Sequence, residues 1–198
     1  MKKLILGLFV LISSHSFAQD SGKSFLQEIS SRLSFGLRAG ANYSNFTNAN
    51  FSTNALVGYH AGATVNFKMS DHWTTVEDFL YSVQGAKSTN TFLGHQDIKL
   101  SYLMVPVLFR YKTDAGLFIE AGTQAGFKLK EEVSGVSGDF AKKTSFSAVG
   151  GIGYQLKSGL GISARYVYGL SRTGNFNNQY VNNDFKSYTA QASLFYTF

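Results

Sequence analysis

The chain contains no cysteine, a single proline and a single tryptophan among 198 residues. Without cysteine there is no disulfide framework and no thiolate metal site. Charged residues make up only 15% of the chain, too few for a disordered, self-repelling polymer, and aromatics reach the same 15%. Long apolar runs are also missing: the one at Leu4–Ile12 is about half of the roughly 20 residues that a membrane-spanning helix needs. Glycine is plentiful at 20 residues, and each one costs a helix about 1 kcal/mol relative to alanine. A helical bundle is therefore excluded. What remains, rich in Gly, Phe and Tyr, reads as a β protein.

The first segment reads as an export address. Lys2 and Lys3 precede the Leu4–Ile12 run, and Ser16-Phe17-Ala18 offers small residues for cleavage after Ala18. The expected organisation is a signal peptide over 1–18, a periplasmic N-terminal segment over 19–33 and one β domain over 34–198. The middle segment is expected to be a mobile tail, with a short helix lined by Phe25, Leu26, Ile29 and Leu33 as the alternative. The formal charge of +6 is modest and dispersed, which argues against a nucleic-acid partner.

Beyond residue 33, eight segments alternate apolar and polar residues at the period of two that marks strands. They run Ser34–Ser44, Val57–Lys68, Trp73–Gly85, Leu100–Lys112, Leu117–Lys130, Ser145–Leu156, Leu160–Ser171 and Phe185–Phe198. Each is long enough to cross a bilayer when tilted. An even number of such strands suits a closed barrel, which leaves no unpaired backbone edge in lipid. Connections 69–72, 114–116 and 157–159 are short, and the last two end in glycine, as a three-residue hairpin whose final residue takes φ > 0 would require. Connections 45–56, 87–96, 131–143 and 172–184 are longer and polar. The expected fold is all-β: an eight-stranded antiparallel transmembrane β-barrel, an up-and-down meander with its short turns in the periplasm.

A soluble barrel would turn its apolar face inward. Here the apolar face ends in aromatics at both levels, Trp73, Tyr111 and Phe198 at one end and Tyr43 at the other, as lipid-interface girdles do. The opposite face carries Arg38, Lys68, Asp78, Arg110, Lys112, Glu120, Lys128, Lys130 and Arg165 interleaved with glycines. Long charged chains beside glycines suit a narrow interior. With 114–116 as the loop, Arg110 falls opposite Glu120 and Lys112 opposite Phe118, and Asp78 is left for a second cation such as Arg38. The expected lumen network is Arg38, Asp78, Arg110, Lys112, Glu120 and Arg165, with Lys128 and Lys130 solvated at the outer mouth. An eight-stranded interior is just wide enough for its own side chains, so structure is preferred to an anion path.

Four stretches resemble the PorT-like, or "porin family", outer-membrane β-barrel domain of Bacteroidetes, in the OmpX-like size class. They are Phe35-Gly36-Leu37-Arg38-Ala39-Gly40-Ala41-Asn42-Tyr43-Ser44, residues 79–87, Tyr102-Leu103-Met104-Val105-Pro106-Val107-Leu108, and Gly151-Ile152-Gly153-Tyr154 with Arg165-Tyr166. The resemblance implies a location in the cell outer membrane. It also implies that the terminal row Leu194, Tyr196 and Phe198 is the recognition signal for barrel assembly. Pro106 matches the family's central strand, and a local bulge is expected there. Glu77 stands where the family often has proline, and the register points it at lipid. Either a bulge turns it inward beside Asp78, or the register slips by one.

Chemistry is sparse. His60, His72 and His95 are too dispersed for a metal site of known spacing. A rim triad of His95, Ser88 and Asp97 is conceivable in residue type, but polar loop residues account for all three. No catalytic, metal or cofactor site is expected. The expected role is that of a structural or loop-presenting envelope protein, with a narrow channel or an accessory of protein secretion as alternatives. The expected partners are outer-membrane lipids, the barrel-assembly machinery and envelope or extracellular proteins met by the long loops.

Overall fold

A computed structural model describes residues 25–47, 53–88, 96–132, 141–173 and 185–198. The expected signal peptide (1–18) and His95 lie outside these residues, as do the side chains of Ser88 and Asp97. The segment before the barrel is not a tail over its last turns: α1 (Phe25–Arg32) is helical. Glu28 in its first turn and Arg32 in its last complement the helix dipole. Leu33, assigned to the helix face in the alternative reading, instead begins the first strand.

Eight strands follow: β1 (Leu33–Thr47), β2 (Thr53–Lys68), β3 (Trp73–Ser88), β4 (Gln96–Lys112), β5 (Leu117–Glu132), β6 (Thr144–Gln155), β7 (Leu160–Gly169) and β8 (Lys186–Thr197). Each pairs antiparallel with its chain neighbour, and β1 pairs with β8 to close the barrel. Several strands run three or four residues beyond the expected ends on the side of the long connections. Alternation marks a strand only where one face meets lipid; past the bilayer both faces are polar, and the ladder continues without that signal.

The short turns follow their chemistry. Thr113 N–H donates to the Leu117 carbonyl (2.8 Å) and Gly116 N–H to that of Thr113 (2.9 Å). Gly116 and Gly159 have φ of 92° and 91°, which side chains rarely adopt. A Cβ at Gly116 would also lie 2.4 Å from the Gln155 carbonyl oxygen.

The outer wall is apolar. Leu37, Tyr59, Phe109, Ile119, Ile152 and Leu194 are all more than half exposed, as lipid-facing residues are. Aromatic pairs mark both interfaces: Trp73 with Tyr111 (5.2 Å) and Tyr196 with Phe198 (5.4 Å) near the short turns, Tyr59 with Tyr81 (6.2 Å) and Tyr166 with Tyr188 (6.3 Å) toward the other end.

Two local expectations are corrected. Pro106 makes no bulge: Glu77 pairs with Val107 and Leu80 with Met104 in one unbroken register, and only the rungs between them are absent. Proline there costs a hydrogen bond without inserting a residue. The register shifts lie elsewhere, between Ala55 and His60 on β2 and between Ser101 and Tyr102 on β4. Glu77 is neither turned inward nor shifted. It sits between Val65 and Val107 on the outer wall, while Val76 and Asp78 beside it are buried.

Candidate functional site

The inward row of β1 samples the lumen from the short-turn end upward: Gly36, Arg38, Gly40, Asn42, Ser44, Phe46. The lumen residues change in kind from level to level, with a small apolar cluster of Val76, Leu108, Val149 and Val167 next to the charged ones.

The lowest layer is ionic. Arg110 and Glu120 are direct cross-strand partners. Glu120 Oε2 accepts from Arg110 Nε (2.9 Å) and Nη2 (2.7 Å), while its Oε1 accepts from Arg165 Nε (2.6 Å). Arg165 Nη1 reaches Asp78 Oδ2 (2.6 Å), and Arg38 Nε lies 3.4 Å from the same oxygen. Thr64 donates to Asp78 Oδ1 (2.6 Å), and Arg38 Nη1 donates to Ser163 Oγ (2.7 Å). None of the five charged residues is more than 4% exposed. Three guanidiniums face two carboxylates, and Arg38 Nε and Arg165 Nη2 are buried without a hydrogen-bond partner. Burial on this scale is tolerated because each acid is met by at least two cationic or hydroxyl donors.

Aromatic rings absorb the excess positive charge. The Arg110 guanidinium carbon stands 4.1 Å from the Phe118 ring centre and 5.3 Å from that of Phe195, and that of Arg38 stands 4.9 Å from Phe195. Phe118 and Phe195 point inward and touch edge to face at 5.9 Å. Glycines make their room: a Cβ at Gly153 would lie 2.3 Å from the Phe118 ring, and one at Gly161 2.3 Å from the Phe195 ring. The sequence sets Phe118 opposite Lys112 but assigns neither ring a role, although the parity of β5 and β8 turns both inward.

Above lies an amide layer. His60 Nδ1 contacts Asn42 Oδ1 (2.7 Å) and its Nε2 contacts Ser193 Oγ (2.8 Å). The Asn42 amide is oriented by donating to the Tyr59 and Val83 carbonyls (3.1 and 2.9 Å). Its oxygen therefore accepts, and His60 carries its proton on Nδ1. Gln191 donates to the same oxygen (3.1 Å). The top layer is apolar: Phe46, Ile98, Leu100, Tyr102, Ala141 and Phe185 pack together, with the Phe46 and Phe185 rings 5.0 Å apart.

The remaining expected residues fall outside the ionic layer. Lys112, half-buried near the short turns, donates to Gln155 Oε1 (3.1 Å) rather than joining the network. Lys68, at the short-turn end of β2, pairs with Asp71 (2.9 Å), whose carboxyl its hydrogen bond holds below the usual range. Lys128 is not solvated: its ammonium is buried, bound by Glu131 and the Ala141 carbonyl (both 2.6 Å). Lys130 is solvated but does not line the lumen. The β4 irregularity sets it opposite Ser101, whose hydroxyl accepts from Tyr81 on the outer wall, and Lys130 pairs there with Glu132 (2.6 Å). His72 meets the Lys112 carbonyl at a short turn (3.0 Å). Among the described residues no group of three or more His, Asp or Glu is arranged to hold a metal ion.

Residues 17–175 match the family model described as an outer membrane protein beta-barrel domain. The chain belongs to that family, and it is an outer-membrane β-barrel protein. Among solved structures, it is similar to neisserial surface protein A (15% identity, TM-score 0.55, covering 83% of this chain and 97% of that one). It is also similar to Ail, the attachment invasion locus protein of Yersinia pestis (16% identity, TM-score 0.50, covering 83% and 98%). At such identities the likeness is one of fold. A search of curated proteins finds no match.

Proposed function

We propose that this barrel is a closed scaffold that works through the segments linking its strands on the long-connection side, toward envelope or extracellular proteins, and not as a conduit or an enzyme. The observation that carries this reading is the filled lumen. Ionic, amide and apolar layers succeed one another along the barrel axis, and their members are buried against each other. An interior of this width is used up by its own side chains. The segments that such a scaffold would present on that side are the connections at 48–52, 89–95, 133–140 and 174–184. Its ordinary partners are then outer-membrane lipids and the assembly machinery, and its dispersed charge gives nucleic acid no basic groove to track.

A narrow anion channel is the second reading, favoured by the excess of one guanidinium over the carboxylates in the ionic layer. Planar-bilayer recording separates the two. The scaffold reading expects no unitary conductance steps from the purified protein at moderate voltage. Reproducible anion-selective steps that vanish in Arg165→Leu would refute it. Replacing 174–184 by a short glycine-serine link should abolish partner binding while leaving barrel assembly intact.

A further inference from the structure

Glu77 stands apart from every other charge in the barrel wall. It lies four residues from Trp73 at the short-turn interface. At about 3.3 Å per residue and a tilt near 40°, that places it roughly 10 Å inside an apolar band about 25 Å tall. Its side chain is too short to reach either interface. Val65 and Val107 are its cross-strand neighbours, and Thr75 with Phe67 and Phe109 occupies the next outward row toward the turns. Among the described residues, nothing donates a hydrogen bond or supplies a cation to its carboxyl. In hydrocarbon, an ionisable group without a partner is costly and marks a contact.

The chemistry of the missing partner is constrained. The outward rows carry lysine only near the far strand ends, at Lys87, Lys99, Lys130 and Lys186. A second copy inserted at the same height therefore has no cation to offer Glu77. A protonated carboxyl, however, has one donor and one acceptor and is fully satisfied by another carboxyl facing it, with no net charge left in lipid. A two-fold interface sets like residues face to face. Val65 and Val107 flank Glu77 on its own rung, and Phe67, Phe109 and Phe79 stand in the outward rows on either side, an apolar frame for a second wall to pack against.

We propose that the β2–β3–β4 wall is a homodimer interface within the membrane, with the two Glu77 carboxyls hydrogen-bonded across the two-fold axis. Because the chain has no cysteine, single cysteines can report it. In native outer-membrane vesicles, Thr75→Cys treated with a short membrane-permeant bismaleimide should give a crosslinked dimer. Ile162→Cys, more than half exposed on the other wall, should not. Adding Glu77→Leu to Thr75→Cys should lower the dimer yield at least tenfold while the heat-modifiable gel band still reports a folded barrel. Glu77→Gln, whose amide is also self-complementary, should keep the crosslink and holds the test open should the leucine variant fail to assemble. Any of four results would overturn the proposal: no Thr75→Cys dimer, equal yield from Ile162→Cys, a yield indifferent to leucine or lost with glutamine, or an adduct with another polypeptide.

Discussion

Glu120→Gln is the sharpest probe of what holds the barrel. The carboxylate takes two N–H groups from Arg110 and one from Arg165, and it is 3% exposed. The amide keeps the shape but removes the charge and turns one oxygen into a donor facing a guanidinium. Arg110 then has no acid, and Arg165 retains Asp78 alone. Breaking a buried pair in this way costs about 3–5 kcal/mol. With a urea dependence of about 1–3 kcal/mol per molar, the midpoint should fall by about 1 M or more. Trp73 is the only tryptophan and sits at a membrane interface, so its fluorescence can follow unfolding from vesicles. The control is Glu132→Gln, whose ion pair with Lys130 is more than half exposed on both sides and should leave the midpoint unchanged. Glu131 does not serve as a control, because it holds the buried ammonium of Lys128. Equal midpoints for the Glu120 and Glu132 variants would refute the assignment of the ionic layer as a stabilising core.

Two further outcomes follow from the geometry. Deleting Tyr196–Phe198 removes the rungs joining Gly36 to Thr197 and Leu37 to Tyr196, together with the bond from Phe198 N–H to the Phe35 carbonyl; the truncated chain should be missing from the outer-membrane fraction, and its recovery there with a heat-modifiable band would count against this. Gly161→Val sets a side chain into the Phe195 ring and should cut refolding yield, while Gly150→Val, which has nothing within 4 Å of a Cβ, should not; similar yields from the two would show that ring packing is dispensable.

How much of this could be read from the residues differed by depth in the membrane. Within the bilayer one face must be apolar, so the eight strands, the closed order and the Arg110–Glu120 register were all legible from parity and turn length. The strand ends beyond the bilayer were not, because no solvent contrast marks them there. The same loss of contrast hid the β4 irregularity that sends Lys130 outside and leaves Lys128 buried. In the ionic layer, charge made Arg38, Asp78, Arg110, Glu120 and Arg165 conspicuous in sequence. Phe118 and Phe195 were not, since an inward aromatic looks like any other core residue until a guanidinium is found over it. Lys112 had the right parity but the wrong height, and height depends on strand stagger, which no single strand reveals.

Asp78 bears on how the sheet finds its shape. Its cations come from β1 and β7, neither of which pairs with β3. Laid flat, the sheet would hold those strands two and four places away, about 10 and 20 Å off at 4.8 Å per strand, and Asp78 would keep the Thr64 hydroxyl of its neighbouring strand but no cation. Only when the sheet curls do Arg38 and Arg165 arrive at the same oxygen. The aspartate thus penalises every open or over-wide arrangement of the same eight strands and rewards the single curvature at which opposite walls meet. In a meander whose neighbouring hairpins could be added or lost without changing any local rung, one carboxylate helps to set the circumference.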